Sequence, residues 1–62
     1  MKAREVVKLV ESVGWFFVRQ KGSHMIFEKE GERRPMVIPN HGSKDLKKPT
    51  LLAILKQAGL QL

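Results

Sequence analysis

Two histidines, His24 and His41, are the side chains in this sequence best suited to moving protons near neutrality, and neither cysteine nor tyrosine accompanies them. His24 stands just beyond a glycine turn in the stretch Arg19-Gln20-Lys21-Gly22-Ser23-His24. That arrangement suits work on a phosphodiester. Arg19 and Lys21 would hold phosphate, while an imidazole can take a proton from a ribose 2′-hydroxyl or return one to the leaving 5′-oxygen. Such a step needs no metal. Taken alone, a strand histidine is more often structural than catalytic, and both roles stay open at this point.

A second cationic group, Lys44, Lys47 and Lys48, gathers where the last helix is expected to start. The macrodipole already makes that end positive, so lysines are mildly unfavourable there unless an anion sits among them. Free amides at a helix N-terminus are a ready phosphate site, and a solvated basic loop is the alternative reading. Arg33 and Arg34 fit a solvated turn. Other constellations are poorer. His24 and His41 form no short ligand pair and no thiol is present to complete a tetrahedral zinc site. Ser23, His24 and Asp45 supply the residue types of a hydrolytic triad, but adjacent strand residues point to opposite faces and would not pass a proton between them. There is no glycine-rich nucleotide cradle of the known kinds.

The elements that must position these residues share only 62 positions. A chain this short buries about 60% of the surface its unfolded form exposes, so one small core and one domain are expected. Without cysteine that core must hold by apolar burial alone. Twelve Lys and Arg against six Asp and Glu give a formal charge of +6, which favours a polyanionic partner, nucleic acid before all others. A membrane surface would require an amphipathic helix with a strongly basic polar face, which neither expected helix has. The apolar runs fall far short of the roughly 20 residues that cross a bilayer. The charged start leads into no signal-type core, so a cytoplasmic protein is expected.

Ala3, Val6, Leu9, Val10 and Val13 recur at helical spacing, with Arg4, Lys8 and Glu11 opposite, which predicts a helix over 3–13 ended by Gly14. Strands are expected over 15–20 and 24–29, joined by a tight turn, and over 35–38, where Pro35 and Pro39 favour an edge position. Leu51, Ile54, Leu55 and Ala58 make the stripe of a second helix over 49–58, with Leu52 at its margin. Pro49 suits its first turn, and Gly59-Leu60 suits a Schellman cap. Both alternating sets of the first strand, Phe16 with Val18 and Trp15 with Phe17, are apolar, so its inner face stays open. At least two of Trp15, Phe16 and Phe17 are expected inside, and an aromatic left on the outer face would offer stacking to bases. The fold class is α+β. A helix, a three-stranded antiparallel meander and a second helix, with both helices on one sheet face, have the architecture of double-stranded-RNA-binding domains.

The same residues carry a family likeness. Gly14-Trp15, the run Arg19 to His24, Pro39, Lys44-Asp45-Leu46, Thr50-Leu51 and Ile54-Leu55-Lys56-Gln57-Ala58-Gly59-Leu60 together resemble the HicA family over essentially the whole chain. The resemblance implies a double-stranded-RNA-binding-like fold, ribosome-independent cleavage of mRNA without a cofactor, and inhibition by a HicB-type antitoxin that covers the active site. By position it places the catalytic histidine on His24, with Gly22 and Ser23 completing the motif. The glycine would serve the turn, and the serine would serve phosphate or the histidine. The lysines at the last helix match the place where double-stranded-RNA-binding domains hold backbone phosphates. Pro49 departs from the glycine common there, a change the first helical turn tolerates. His41 is a secondary candidate for an acid–base pair, with loop capping as its other role. A non-catalytic RNA-binding module shares this fold and charge and differs only in what His24 does.

Overall fold

The structure, a computed structural model, describes residues 1–61. Helix α1 spans Ala3–Ser12, strands β1, β2 and β3 span Phe16–Lys21, His24–Glu28 and Met36–Pro39, and helix α2 spans Lys48–Gln57. The order is the one expected, and the boundaries shift by a residue: Trp15 and Lys29 lie outside their strands, Lys21 and Pro39 lie inside theirs, and α2 begins at Lys48. The three strands form an antiparallel meander in the order β1-β2-β3. The proline-flanked β3 is thus at an edge, where Pro39 costs no ladder hydrogen bond.

Both helices end alike. The Trp15 N–H donates to Val10 O and the Gly14 N–H to Glu11 O after α1, while the Leu60 N–H donates to Leu55 O and the Gly59 N–H to Lys56 O after α2. These are the paired bonds of the Schellman motif, which turns the chain back onto the last turn and carries the following apolar side chain inward. Trp15 is accordingly buried, at 3% exposure.

At the start of α1 the Lys2 backbone N–H donates to the Glu5 carboxylate at 2.7 Å. That hydrogen bond, aided by the N-terminus, Lys2 and Arg4, holds the Glu5 carboxyl below its ordinary value. A depressed folded value means that the contribution is present above the unfolded carboxylate range and is lost as pH falls through the folded value. Glu5→Gln keeps an acceptor but does not titrate, so it should narrow the gap in melting temperature between neutral and acid pH. Thermal unfolding followed by circular dichroism checks this, and an unchanged gap would contradict it.

Antiparallel partners share a sheet face. The pairs Phe17 with Phe27, Gln20 with Met25, Met25 with Ile38 and Phe27 with Met36 face the helices. There Phe27, Met36 and Ile38 join Ala3, Val6 and Val10 of α1 and Leu51, Ile54 and Leu55 of α2 in one core. Leu52 stays outside, as its marginal place on the stripe suggests. Both helices lean on β3, at the far side of the sheet from β1.

That lean corrects one expectation. Of the three consecutive aromatics only Trp15 is inside; Phe16 and Phe17 are 51% and 50% exposed. Phe17, on the helix-side face of the strand farthest from β3, meets Phe27 edge-on, ring centroids 5.8 Å apart, and still leaves half of its surface exposed.

Candidate active site

The β1–β2 hairpin is built around its turn. Lys21 pairs with His24, leaving Gly22 and Ser23 as a two-residue loop. Gly22 has φ 60°, and no residue other than glycine has positive φ among those described, so Ser23 returns to the ordinary region. This is the φ signature of a type II′ turn, whose twist matches the strands it joins. A Cβ at Gly22 would meet nothing within 4 Å, so any substitution cost there is conformational. Gly22→Ala is expected to destabilise the chain by about 1–2 kcal/mol through the left-handed backbone alone. The midpoint of urea unfolding measures it, and an unshifted midpoint would show that the turn can relax.

A register shift between Phe17 and Arg19 makes Val18 the extra residue of a β-bulge. Its consequence is the composition of the outer face. Phe17 pairs with Phe27 toward the helices, but beyond the bulge Arg19 pairs with Ile26 and Lys21 with His24, on the face away from them. An unbulged strand would turn Arg19 inward and set Gln20 across from His24, because a one-residue slip exchanges the faces. The bulge therefore brings Arg19, Lys21 and His24 onto one open surface, and all three are exposed.

The loop after β3 closes onto the same end of the sheet. Pro39 pairs with His24, and the Asn40 N–H donates to Ser23 O at 2.6 Å. Asn40 then caps its own turn, its Oδ1 accepting from the Gly42 N–H at 3.3 Å. Further on, the Leu46 N–H donates to Met1 O at 2.8 Å and Asp45 lies 3.8 Å from the N-terminal ammonium, so the loop is tied down at both ends. Asp45 is 73% exposed, so its ion pair is a weak surface contact. Between these ties runs a groove of about 540 Å³ lined by Pro39, His41, Lys44, Asp45, Leu46, Lys47 and Thr50.

Sequence reasoning placed Lys44, Lys47 and Lys48 together, and the structure divides them. Lys44 and Lys47 line the groove with His41, whereas Lys48 is an exposed residue of the first turn of α2 outside the groove lining. No acidic residue stands in that turn, Lys47 is the N-cap, and Pro49 lies within the first two positions, leaving the helix end positive. Among the described residues no three of His, Asp or Glu come together as metal ligands would, and no helix is long and apolar enough to cross a membrane. Phe16, Val37 and Ile26 share the open face with His24, a set that alternation could not assign because the bulge falls inside the apolar run.

This geometry meets its relatives in comparison with known proteins. The family model described as HicA toxin of bacterial toxin-antitoxin matches residues 3–60. The chain belongs to the HicA toxin family. A solved structure is similar throughout: a chain of a toxin-antitoxin complex from Streptococcus pneumoniae is 46% identical, superposes with a TM-score of 0.83, and the match covers 97% of this chain and 98% of that one. No curated protein matches. The HicA resemblance seen in the run from Arg19 to His24 and in the closing helix thus extends over the whole fold.

Proposed function

We propose that this HicA-family chain is an endoribonuclease that cleaves mRNA without the ribosome and without a metal cofactor, and that His24 is its catalytic residue. The observation that carries this reading is the bulge-dependent alignment of Arg19, Lys21 and His24 on one open face of a chain with charge +6. Arg19 and Lys21 hold the scissile phosphate between them. His24 moves the proton: as base it takes the 2′-hydroxyl proton while the 2′-oxygen bonds to phosphorus, and as acid it protonates the departing 5′-oxygen. The products are a 2′,3′-cyclic phosphate and a 5′-hydroxyl, with atoms and charge balanced. Gly22 and Ser23 set the turn that fixes His24 across from Lys21.

Lys44 and Lys47 receive the neighbouring backbone phosphates in the groove beside His41, with Lys48 adding charge at the helix end. His41 is the second residue able to exchange a proton there. The toxin-antitoxin complex from S. pneumoniae supports a partner antitoxin for this chain too. In this reading the partner is of the HicB type, meets the chain in the cytoplasm and covers its active site. Incubation of the purified chain with labelled single-stranded RNA in chelator tests the proposal. Cleavage is expected. RNA that is bound and left whole would reduce the chain to a non-catalytic RNA-binding module.

A further inference from the structure

We infer that Phe16 is a base-stacking residue, and that the open sheet face takes single-stranded RNA with one base laid on its ring. This deepens the RNA-cleaving reading and rests on it. Phe16 is 51% exposed and pairs with Glu28, which places it on the face that carries Arg19, Lys21 and His24. Nothing in the fold explains an outward aromatic there, because the helices cover the opposite face and lean on β3.

Charge selects the occupant. Arg19 and Lys21 follow Phe16 along β1 on this face, in a chain of formal charge +6, so the surface fits a polyanion that also offers flat apolar area. Nucleic acid with unpaired bases has both properties, whereas a duplex hides its base faces in its own stack. Glu28 beside the ring disfavours a phosphate at that end and leaves the ring to a base. Glu28 lies four residue steps along β2 from His24, about 13 Å at strand spacing, which a few nucleotides of extended backbone span. Phe16 therefore holds the strand at a fixed reach from the cleaved bond, with Ile26 between them. Because every base has a π face, this contact gives affinity and register with little sequence preference.

Anisotropy of a labelled single-stranded RNA oligonucleotide tests this on the full chain carrying His24→Ala, so that binding is read without cleavage. Adding Phe16→Ala is expected to weaken binding by about 5- to 100-fold, while Phe16→Trp keeps it near the parent value. Removing every base from the oligonucleotide while keeping its sugar-phosphate backbone should weaken the parent more than the Phe16→Ala chain. Circular dichroism of each variant establishes that the fold is retained. Equal binding by parent and Phe16→Ala would overturn the inference while leaving the nuclease reading intact. So would a Phe16→Ala chain that binds RNA normally yet no longer copurifies with its antitoxin, since the ring would then belong to a protein interface. Failure of the parent to bind RNA would overturn both readings together.

Discussion

His24→Ala is expected to slow RNA cleavage by about 10²- to 10⁴-fold, the span over which a positioned acid–base side chain acts. Stability should change little. His24 is exposed at the first position of β2, held in place by backbone pairing with Lys21 and Pro39 rather than by packing of its ring. Substitutions at such surface positions stay within roughly 0.5 kcal/mol. RNA binding should also survive, since Arg19 and Lys21 keep their places on the open face. The expected pattern is thus a large loss in rate with intact fold and affinity, read by single-turnover cleavage, urea unfolding and anisotropy on the same preparation. A parallel loss of all three would mean that the histidine has a structural role.

Phe27→Ala should have the largest effect on the fold, about 3–5 kcal/mol. Phe27 is 1% exposed and lies at the middle of the sheet, between Phe17 on β1 and Met36 on β3 and beneath both helices. Its neighbours, held on strands and helices, can fill only part of the space it leaves. A single core in a chain this small rarely supplies more than about 3–5 kcal/mol in total, so the substitution removes most or all of the margin. Urea titration followed by circular dichroism should show no cooperative transition at 25 °C for the variant. A transition displaced by only a small amount would mean that the core is looser than its burial implies.

Much of this molecule is legible in its sequence, for reasons that differ from element to element. The stripes of Val6 and Val10, and of Leu51, Ile54 and Leu55, are read from spacing alone because one-sided burial of a helix is a local pattern. The turn at Gly22-Ser23 is local too, since backbone φ is set by the residue itself. Prolines 35 and 39 announce an edge strand because a missing N–H cannot be hidden in the middle of a sheet. Burial along β1 is not local. Phe16 is uncovered because it lies on the face away from the helices, and whether Phe17 is covered depends on how far two helices extend over the sheet; no window of residues encodes either.

The site divides in the same way. Gly22, Ser23 and His24 form a contiguous motif and stand out as such. The company that His24 keeps depends on the bulge at Val18, and a bulge inside an unbroken apolar run leaves no mark in the alternation. The placement of the loop bearing His41 follows from long-range backbone ties, Pro39 with His24, Asn40 with Ser23 and Leu46 with Met1, made by groups whose identity the sequence does not specify. Lys44 and Lys47 separate from Lys48 because only the first two line the groove, a distinction of rotation about the start of α2.

The central claim is that His24 performs the chemistry, and the most direct measurement is cleavage of an end-labelled single-stranded RNA in chelator by the parent chain and the His24→Ala chain, prepared identically. The parent should cut the strand and leave cyclic phosphate and 5′-hydroxyl ends, while the variant binds the same RNA and leaves it whole. Equal cleavage by the two proteins, or binding without cleavage by both, would contradict the claim.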